Sequence, residues 1–249
     1  MSGHSKWASI KHKKSATDSK RGKIFTKIIK MITVAARNGG GNINTNPALR
    51  LAIQKAKEAN MPQDNIERAV KKGTGELPGM SYEAVSYEGY GPGGVAFFVE
   101  ALTDNKNRTT SEVRNIFSKS GGNLAGSGSV NWIFEKKGFF IVNKSEASED
   151  DLMSVILDAG AEDLSQEGDT YEIKSKPNDY EKIKKALEDG KIKIASSEVT
   201  MIPKSTVKVR DEQAKQVLRL VEQLEDNDDI QNVYANFDIP EDILKQNIK

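Results

Sequence analysis

The spacing of the apolar residues changes once along the chain, and that change limits what the chain can fold into. Up to residue 75 apolar positions recur every three to four residues, the spacing of a helix face. Beyond the segment GTGELPG they alternate, as in YEAVSYEGY and VAFFVEAL, which is the spacing of half-buried strands. With 249 residues, 37% hydrophobic content and 29% charge, two or three small cores suit the chain better than one large one. The two textures predict a small helical domain followed by α+β domains.

In residues 24–37, Ile24, Phe25, Ile28, Ile29, Ile32, Ala35 and Ala36 fall at helical spacing, while Lys23, Lys27, Lys30 and Arg37 cluster on the other face. Gly39, Gly40 and Gly41 stop this helix. Asn46 can cap a second helix with Pro47 at its first position and Leu49, Ile53 and Ala56 in its buried stripe. Pro62 opens a third. Asp64 and Glu67 stand early in it and Lys71 and Lys72 late, matching the helix dipole, before Gly73 and Gly75 end it.

The two alternating runs are joined by GYGPGG and predict a hairpin. Thr109 and Glu112 have capping-box spacing ahead of Val113, Ile116 and Phe117, which predicts a helix with its exit at Gly121. SVNWIFE reads as a further strand. From 139 to 202 the order is strand FFIV, helix 148–159, a strand pair around Gly168, helix 178–189 and strand IKIASSEVTMI. That order, βαββαβ, is the ferredoxin-like pattern. A last helix, 211–225, leads to the strand IQNVYANF, whose partners are missing locally. Pairing it with the hairpin gives a split domain interrupted by the ferredoxin-like one. The expected fold is therefore α+β with three domains: 1–75 basic and helical, 76–136 plus 204–249 split α+β, and 137–203 an inserted ferredoxin-like α+β unit.

A formal charge of +1 hides a strong asymmetry. Residues 1–75 carry sixteen Lys and Arg against four Asp and Glu, whereas the remaining 174 carry twenty-one against thirty-two, so +12 is joined to −11. The opening stretch sets Lys6, Lys11, Lys13, Lys14, Lys20, Arg21 and Lys23 around the single acid Asp18. The commonest partner for such a concentration is a phosphate backbone. Trp7 can stack on an unpaired base among these cations, and Lys27 and Lys30 extend the patch along a helix face. His4 and His12 suit a phosphate or base edge, where a polyanion favours the protonated form. The competing reading is a solvated tail that serves solubility. With little apolar surface to bury, residues 1–22 are expected to be mobile when free and ordered on binding. Asn105, Lys106, Asn107 and Arg108, ahead of a helix that contains Arg114, form a candidate second contact, since a helix start can bind phosphate through its free N–H groups. An ordinary solvated loop is the alternative there.

Other features point away from chemistry. GYGPGG joins strand to strand, whereas nucleotide-binding glycine loops lead into a helix. In SGGNLAGSGS a helix exit explains Gly121 and Gly122 but not Gly126 and Gly128, which suit a loop closely approaching another backbone. Glu225, Asp226, Asp228 and Asp229 lack the spacing of a calcium loop and read as a solvated helix exit. With no cysteine the chain has no disulfide, thiolate nucleophile or Cys-ligated zinc, and two histidines lack partners for a metal or a catalytic site. A non-enzymatic protein without cofactor or metal is expected. No run of about 18 apolar residues and no secretory signal is present, so the expected location is the cytoplasm, with no membrane partner.

The blocks GHSKWASIKHKK, RGKIFTKIIK, NPALRLAIQKAKEANMPQDNIERAVKKG, YEGYGPGGVAFFVE, LTDNKNRTTSEVRNIFSKSGGNL and WIFEKKG together resemble the YebC/PmpR family, over the whole chain and most densely in residues 1–138. The resemblance implies a three-domain cytoplasmic protein, often labelled a DNA-binding transcriptional regulator. A similar mitochondrial protein acts as a translational activator, and bacterial relatives have been tied to ribosomes and to difficult peptide bonds such as proline runs. The expected function is a nucleic-acid-binding regulator of gene expression. Ribosomal RNA is favoured over DNA as partner, with the ribosome as its setting, because the sequence shows no recognition-helix pair with a clear turn and no symmetric dimer surface. The oligomeric state is left open.

Overall fold

Separate apolar cores hold the helical and α+β parts of the chain together, as seen in a computed structural model that describes residues 18–240 and 243–244. The helical part consists of α1 (Asp18–Gly39), α2 (Pro47–Glu58) and α3 (Gln63–Thr74). Its core joins Ile28, Ile32 and Ala36 of α1 to Leu49 and Ala56 of α2 and to Ile66 and Ala69 of α3. Asn46 caps α2 by accepting the Leu49 N–H at 3.0 Å, with Pro47 at the first helical position, as expected. Helix α1 already begins at Asp18, so residues 18–22 of the expected mobile segment form its first turns. The remainder of that segment lies outside the described residues.

Gly73 does not end α3. It lies inside the helix where α3 crosses α1, and a Cβ there would stand 2.5 Å from the Thr33 carbonyl oxygen and 2.7 Å from Ala36 Cβ. Gly75, at φ +84°, is the residue that ends the helix.

The second part is a four-stranded antiparallel sheet of order β3-β1-β2-β9, built from β1 (Glu83–Tyr90), β2 (Ala96–Thr103), β3 (Asn123–Ala125) and β9 (Ile230–Ala235). Two helices, α4 (Lys106–Lys119) and α7 (Asp211–Glu225), cover one face. Inward positions Phe97, Val99 and Ala101 of β2 pack there with Phe117 of α4 and Leu218 and Val221 of α7. A short parallel pair, β8 (Val207–Lys208) with β10 (Phe237–Asp238), closes this unit. Bringing the C-terminal helix and strand onto the hairpin is the split arrangement expected from the missing local partners.

The third part comprises β4 (Phe134–Asn143), α5 (Glu149–Ile156), β5 (Ala161–Glu167), β6 (Thr170–Ser175), α6 (Tyr180–Asp189) and β7 (Ile194–Pro203). Its antiparallel sheet has the order β5-β6-β4-β7, which is ferredoxin-like. SVNWIFE and FFIV, expected as two strands, differ from this. Residues 131–133 form a 3-10 turn, and β4 then runs unbroken from Phe134 through FFIV, pairing with β7 from Phe134–Pro203 onward. The division expected between residues 136 and 137 falls inside this strand. An apolar cluster of Ala96, Phe98, Val130, Phe134 and Tyr234, with Met201 packed against it, joins the two sheets. Phe98 lies with its ring centroid 6.2 Å from both Phe134 and Tyr234.

Two glycine-to-alanine substitutions in the helical part should have opposite signs. Gly73→Ala should destabilise it by about 1–3 kcal/mol through overpacking, whereas Gly22→Ala, with nothing within 4 Å of the new methyl, should stabilise it by roughly 0.5–1 kcal/mol. Urea unfolding of the two variants followed by circular dichroism checks this. A Gly73→Ala protein as stable as the parent would remove the close-approach explanation.

Candidate nucleic-acid interface

The sequence-predicted contact residues separate into three groups. His4, Lys6, Trp7, Lys11, His12, Lys13 and Lys14 lie outside the described residues, and Lys20 stands in the first turn of α1. Arg21 is exposed, with its guanidinium 5.7 Å from the centre of the Phe25 ring. Lys23, Lys27 and Lys30 point at the chain itself.

These three lysines grip the C-terminal end of α7. Lys27 Nζ donates to the Glu225 carbonyl at 2.6 Å, and Lys23 Nζ donates to the Asp226 carbonyl at 3.2 Å and pairs with the Asp226 carboxylate at 3.1 Å. Lys30 Nζ reaches the Asp228 carbonyl at 2.9 Å and the Asp229 carboxylate at 2.5 Å. A helix C-terminus offers carbonyls without helical partners and the negative end of the dipole, so cations belong there. Lys30, expected at phosphate, is 6% exposed in this structure and already carries a counter-ion from the chain itself. Lys23 and Lys27 share its role in this structure.

Asp229 is the centre of the contact. It is 4% exposed, and besides Lys30 its carboxylate accepts Thr109 Oγ1 at 2.6 Å, Arg108 Nη2 at 2.7 Å and Thr103 Oγ1 at 3.2 Å. Burial by itself raises its pKa, but the bonds from Lys30, Thr109 and Arg108 outweigh that and hold it well below the usual carboxylate range. Of the acids read as a solvated helix exit, Asp226 and Asp228 are exposed, whereas Asp229 is buried and fully engaged. The cap of α4 also differs from expectation: Asn105 accepts the Arg108 N–H at 3.1 Å, which leaves Thr109 buried and free to serve Asp229. The sequence did hold a signal. Thr103 continues the inward register of Phe97, Val99 and Ala101, and Thr109 shares a face with Val113 and Phe117. Two threonines on apolar faces point to a buried polar group.

In the second cluster Lys106, Asn107 and Arg114 are exposed, while Arg108 is clasped between Asp104 at 2.8 Å and Asp229 at 2.7 Å. Arg108 is therefore part of the Asp229 site, with its side chain still 43% exposed. The glycine loop before β4 also has an internal task. The Gly128, Val130 and Asn131 N–H groups donate to the Glu88 carboxylate at 2.8, 2.6 and 2.9 Å. Burial pushes Glu88 up, and these amides more than reverse it. Gly128 is needed for its φ of +88° rather than for a close approach, since neither it nor Gly126 has an atom near its absent Cβ. Next to this loop Trp132 is 65% exposed, with its indole N–H on the Ser129 carbonyl.

Three features of the helical part were given no binding role from sequence. Arg50, Lys55 and Lys57 on α2 and Arg68, Lys71 and Lys72 on α3 make up further exposed or half-buried cations. Residues 59–62 join α2 to α3 in only four residues, a length that occurs in helix-turn-helix motifs. Asp64 and Glu67 stand exposed on the first turns of α3.

Family models match nearly the whole chain: the TACO1/YebC protein N-terminal domain over residues 5–76, and the TACO1/YebC second and third domain over residues 82–237. The chain belongs to the TACO1/YebC family. A relative from Natranaerobius thermophilus is 56% identical over 98% of this chain and 99% of its own length, and one from Desulforapulum autotrophicum is 58% identical over 98% of each. Both carry the name probable transcriptional regulatory protein. The crystal structure of a conserved hypothetical protein, Aq1575 from Aquifex aeolicus, superposes with a TM-score of 0.80 at 50% identity, covering 93% of this chain and 96% of that one. Among the described residues of this YebC-family chain no helix is long and apolar enough to cross a membrane, and no group of three or more His, Cys, Asp or Glu is placed to hold a metal.

Asp229→Asn leaves the buried Lys30 without its counter-charge and Arg108 with Asp104 alone, and should cost about 3–5 kcal/mol at pH 7. Because the folded pKa of Asp229 is depressed, its contribution is complete above the unfolded-state pKa of about 3.9 and is lost as pH falls toward the lower folded value. The gap between parent and variant should therefore be constant near neutrality and narrow below about pH 4. Urea unfolding at a series of pH values measures it, and a gap that widened on acidification would contradict the assignment.

Proposed function

We propose that this chain is a non-enzymatic, nucleic-acid-binding regulator of gene expression, composed of a basic helical domain (1–75), a split α+β domain (76–136 plus 204–249) and an inserted ferredoxin-like domain (137–203). The observation that carries this reading is the surplus of sixteen basic over four acidic side chains in the first 75 residues. Among the described residues, the contact with α7 engages three of the cations. Those of the N-terminal arm and of the outer surfaces of α2 and α3 are left as the phosphate-binding set. The names of the relatives, as regulatory proteins, agree with it.

Structured RNA of the ribosome is the favoured target, in the cytoplasm. An arm that interleaves lysines with Trp7 can combine phosphate attraction with stacking on an unpaired base, while the acidic α+β part is repelled from the backbone and turned outward or toward protein. A second reading, a DNA-bound transcriptional regulator, is favoured by the names of the relatives and by the four-residue turn between α2 and α3. Asp64 and Glu67 at the start of α3 weigh against it, because that end of a recognition helix faces the groove and its phosphates.

Replacing Lys11, Lys13, Lys14, Lys20 and Arg21 by Gln should weaken binding to all sequences alike, because phosphate contacts position without reading bases. On single-stranded RNA the slope of log affinity against log salt should shrink by about 3.5 units, and the variant should leave the ribosomal fractions of a sedimented lysate. An unchanged slope in a folded variant makes the arm a solubility tail. If the parent stays off ribosomes and one short duplex outcompetes bulk DNA at fixed salt, the DNA reading replaces the RNA one.

A further inference from the structure

We infer that the face of α1 bearing Lys23, Lys27 and Lys30 is a second polyanion-binding surface, covered by the C-terminal end of α7 and uncovered when nucleic-acid phosphate competes for it. The inference rests on the reading of the chain as a nucleic-acid-binding protein and adds to it a surface and a mode of regulation.

The first support is the contrast between the two junctions in the molecule. The two sheets share an apolar cluster around Phe98, Phe134 and Tyr234. Among the described residues, no apolar cluster contains side chains from both the helical part and the rest: one cluster is confined to residues 25–70 and the others to residues 85–244. The helical part is held instead by its three lysines, by a hydrogen bond from Arg37 to Ser81, and by Lys30 lying 5.6 Å from the centre of the Tyr82 ring. An open cleft of about 590 Å³ runs beside this contact, lined by Thr26, Met80 and Tyr82 on one side and Asp104, Arg108 and Glu112 on the other. A polar junction open to water and ions separates far more readily than an apolar one. Residues 75–82, which connect the two parts, contain neither helix nor strand.

The second support is what each partner keeps on separation. Asp229 retains Arg108, Thr109 and Thr103, so its buried carboxylate stays paired. Lys27 gives up the Glu225 carbonyl among its partners, and Lys23 gives up a carbonyl and an ion pair with Asp226, which is worth little because the Asp226 side chain is 73% exposed. Lys30 alone loses a strong partner and needs another anion in its place. A phosphate oxygen supplies one, and its charge-assisted bonds to all three amines are stronger than bonds to carbonyls. Release and polyanion binding are thus coupled, and an electrically neutral ligand has no means of opening the contact.

The chain has no cysteine, so Gln54→Cys on α2 and Asn115→Cys on α4, both exposed, give two unique dye positions in the full-length protein. Energy transfer between the dyes reports separation, while anisotropy of labelled poly(U) reports binding in the same titration. Transfer should fall as poly(U) saturates the protein, and potassium chloride alone should lower it at higher ionic strength. Asp226→Asn, which removes one exposed ion pair, should lower the poly(U) concentration for half-opening about two- to fivefold. Lys30→Met leaves Asp229 with its other partners and should show reduced transfer before any poly(U) is added. If poly(U) binds while transfer stays constant, the inference is overturned and the nucleic-acid reading stands. If poly(U) does not bind at all, both fall.

Discussion

One buried carboxylate fixes how the parts of this protein meet. Asp229 receives Lys30 from α1, Arg108 and Thr109 from α4 and Thr103 from the end of β2, while its own backbone carbonyl accepts the Leu102 N–H at 2.8 Å. Three elements, α1, β2 and α4, thus converge on a residue in the turn between α7 and β9. The net gain from such a group is modest, because desolvating the ions cancels much of their attraction, yet removing any one partner is expensive. Its effect is to set position. The α4 start, the end of β2 and the basic face of α1 meet at Asp229 in one mutual arrangement.

The same electrostatics divide the cations of the helical part into two sets. One set faces inward and neutralises the orphan carbonyls and acids at the end of α7; the other, on α2 and α3, is exposed. A +12 segment joined to a −11 remainder would be expected to fold back on itself generally. Among the described residues the attraction is concentrated at one junction, without an apolar seal, beside an open cleft. Glu88 shows the opposite solution within the α+β part, where a carboxylate is enclosed by backbone amides of its own loop and takes no part in any junction.

Much of the fold was legible in local pattern. The cap and Pro47 start of α2, the span of α7, the hairpin and the ferredoxin-like order of β4 to β7 all follow from spacing, turn residues and capping chemistry, which act over a few residues. The differences arise where a distant partner decides. β4 runs unbroken from Phe134 through FFIV because β7 supplies a continuous ladder, and Gly73 is an approach to Thr33 rather than a stop. Thr109 has capping-box spacing, but Asn105 caps the helix and Asp229 takes the threonine. Lys30 was the hardest to read. An amphipathic helix announces which face is polar, but nothing in its own residues tells whether that face meets solvent, phosphate or the end of another helix. The family resemblance extended over the whole chain and did not distinguish these cases either.

The central claim is that Lys30 and Asp229 act on one another across the junction. A double-mutant cycle with Lys30→Met, Asp229→Asn and the pair of substitutions together, followed by urea unfolding at pH 7 and low salt, measures that interaction directly. The structure predicts that the double variant is less destabilised than the sum of the single ones, with a coupling of about 1–3 kcal/mol, the range for residues in one buried network. Additive effects within about 0.3 kcal/mol would mean that the two side chains do not meet in solution and would contradict the account.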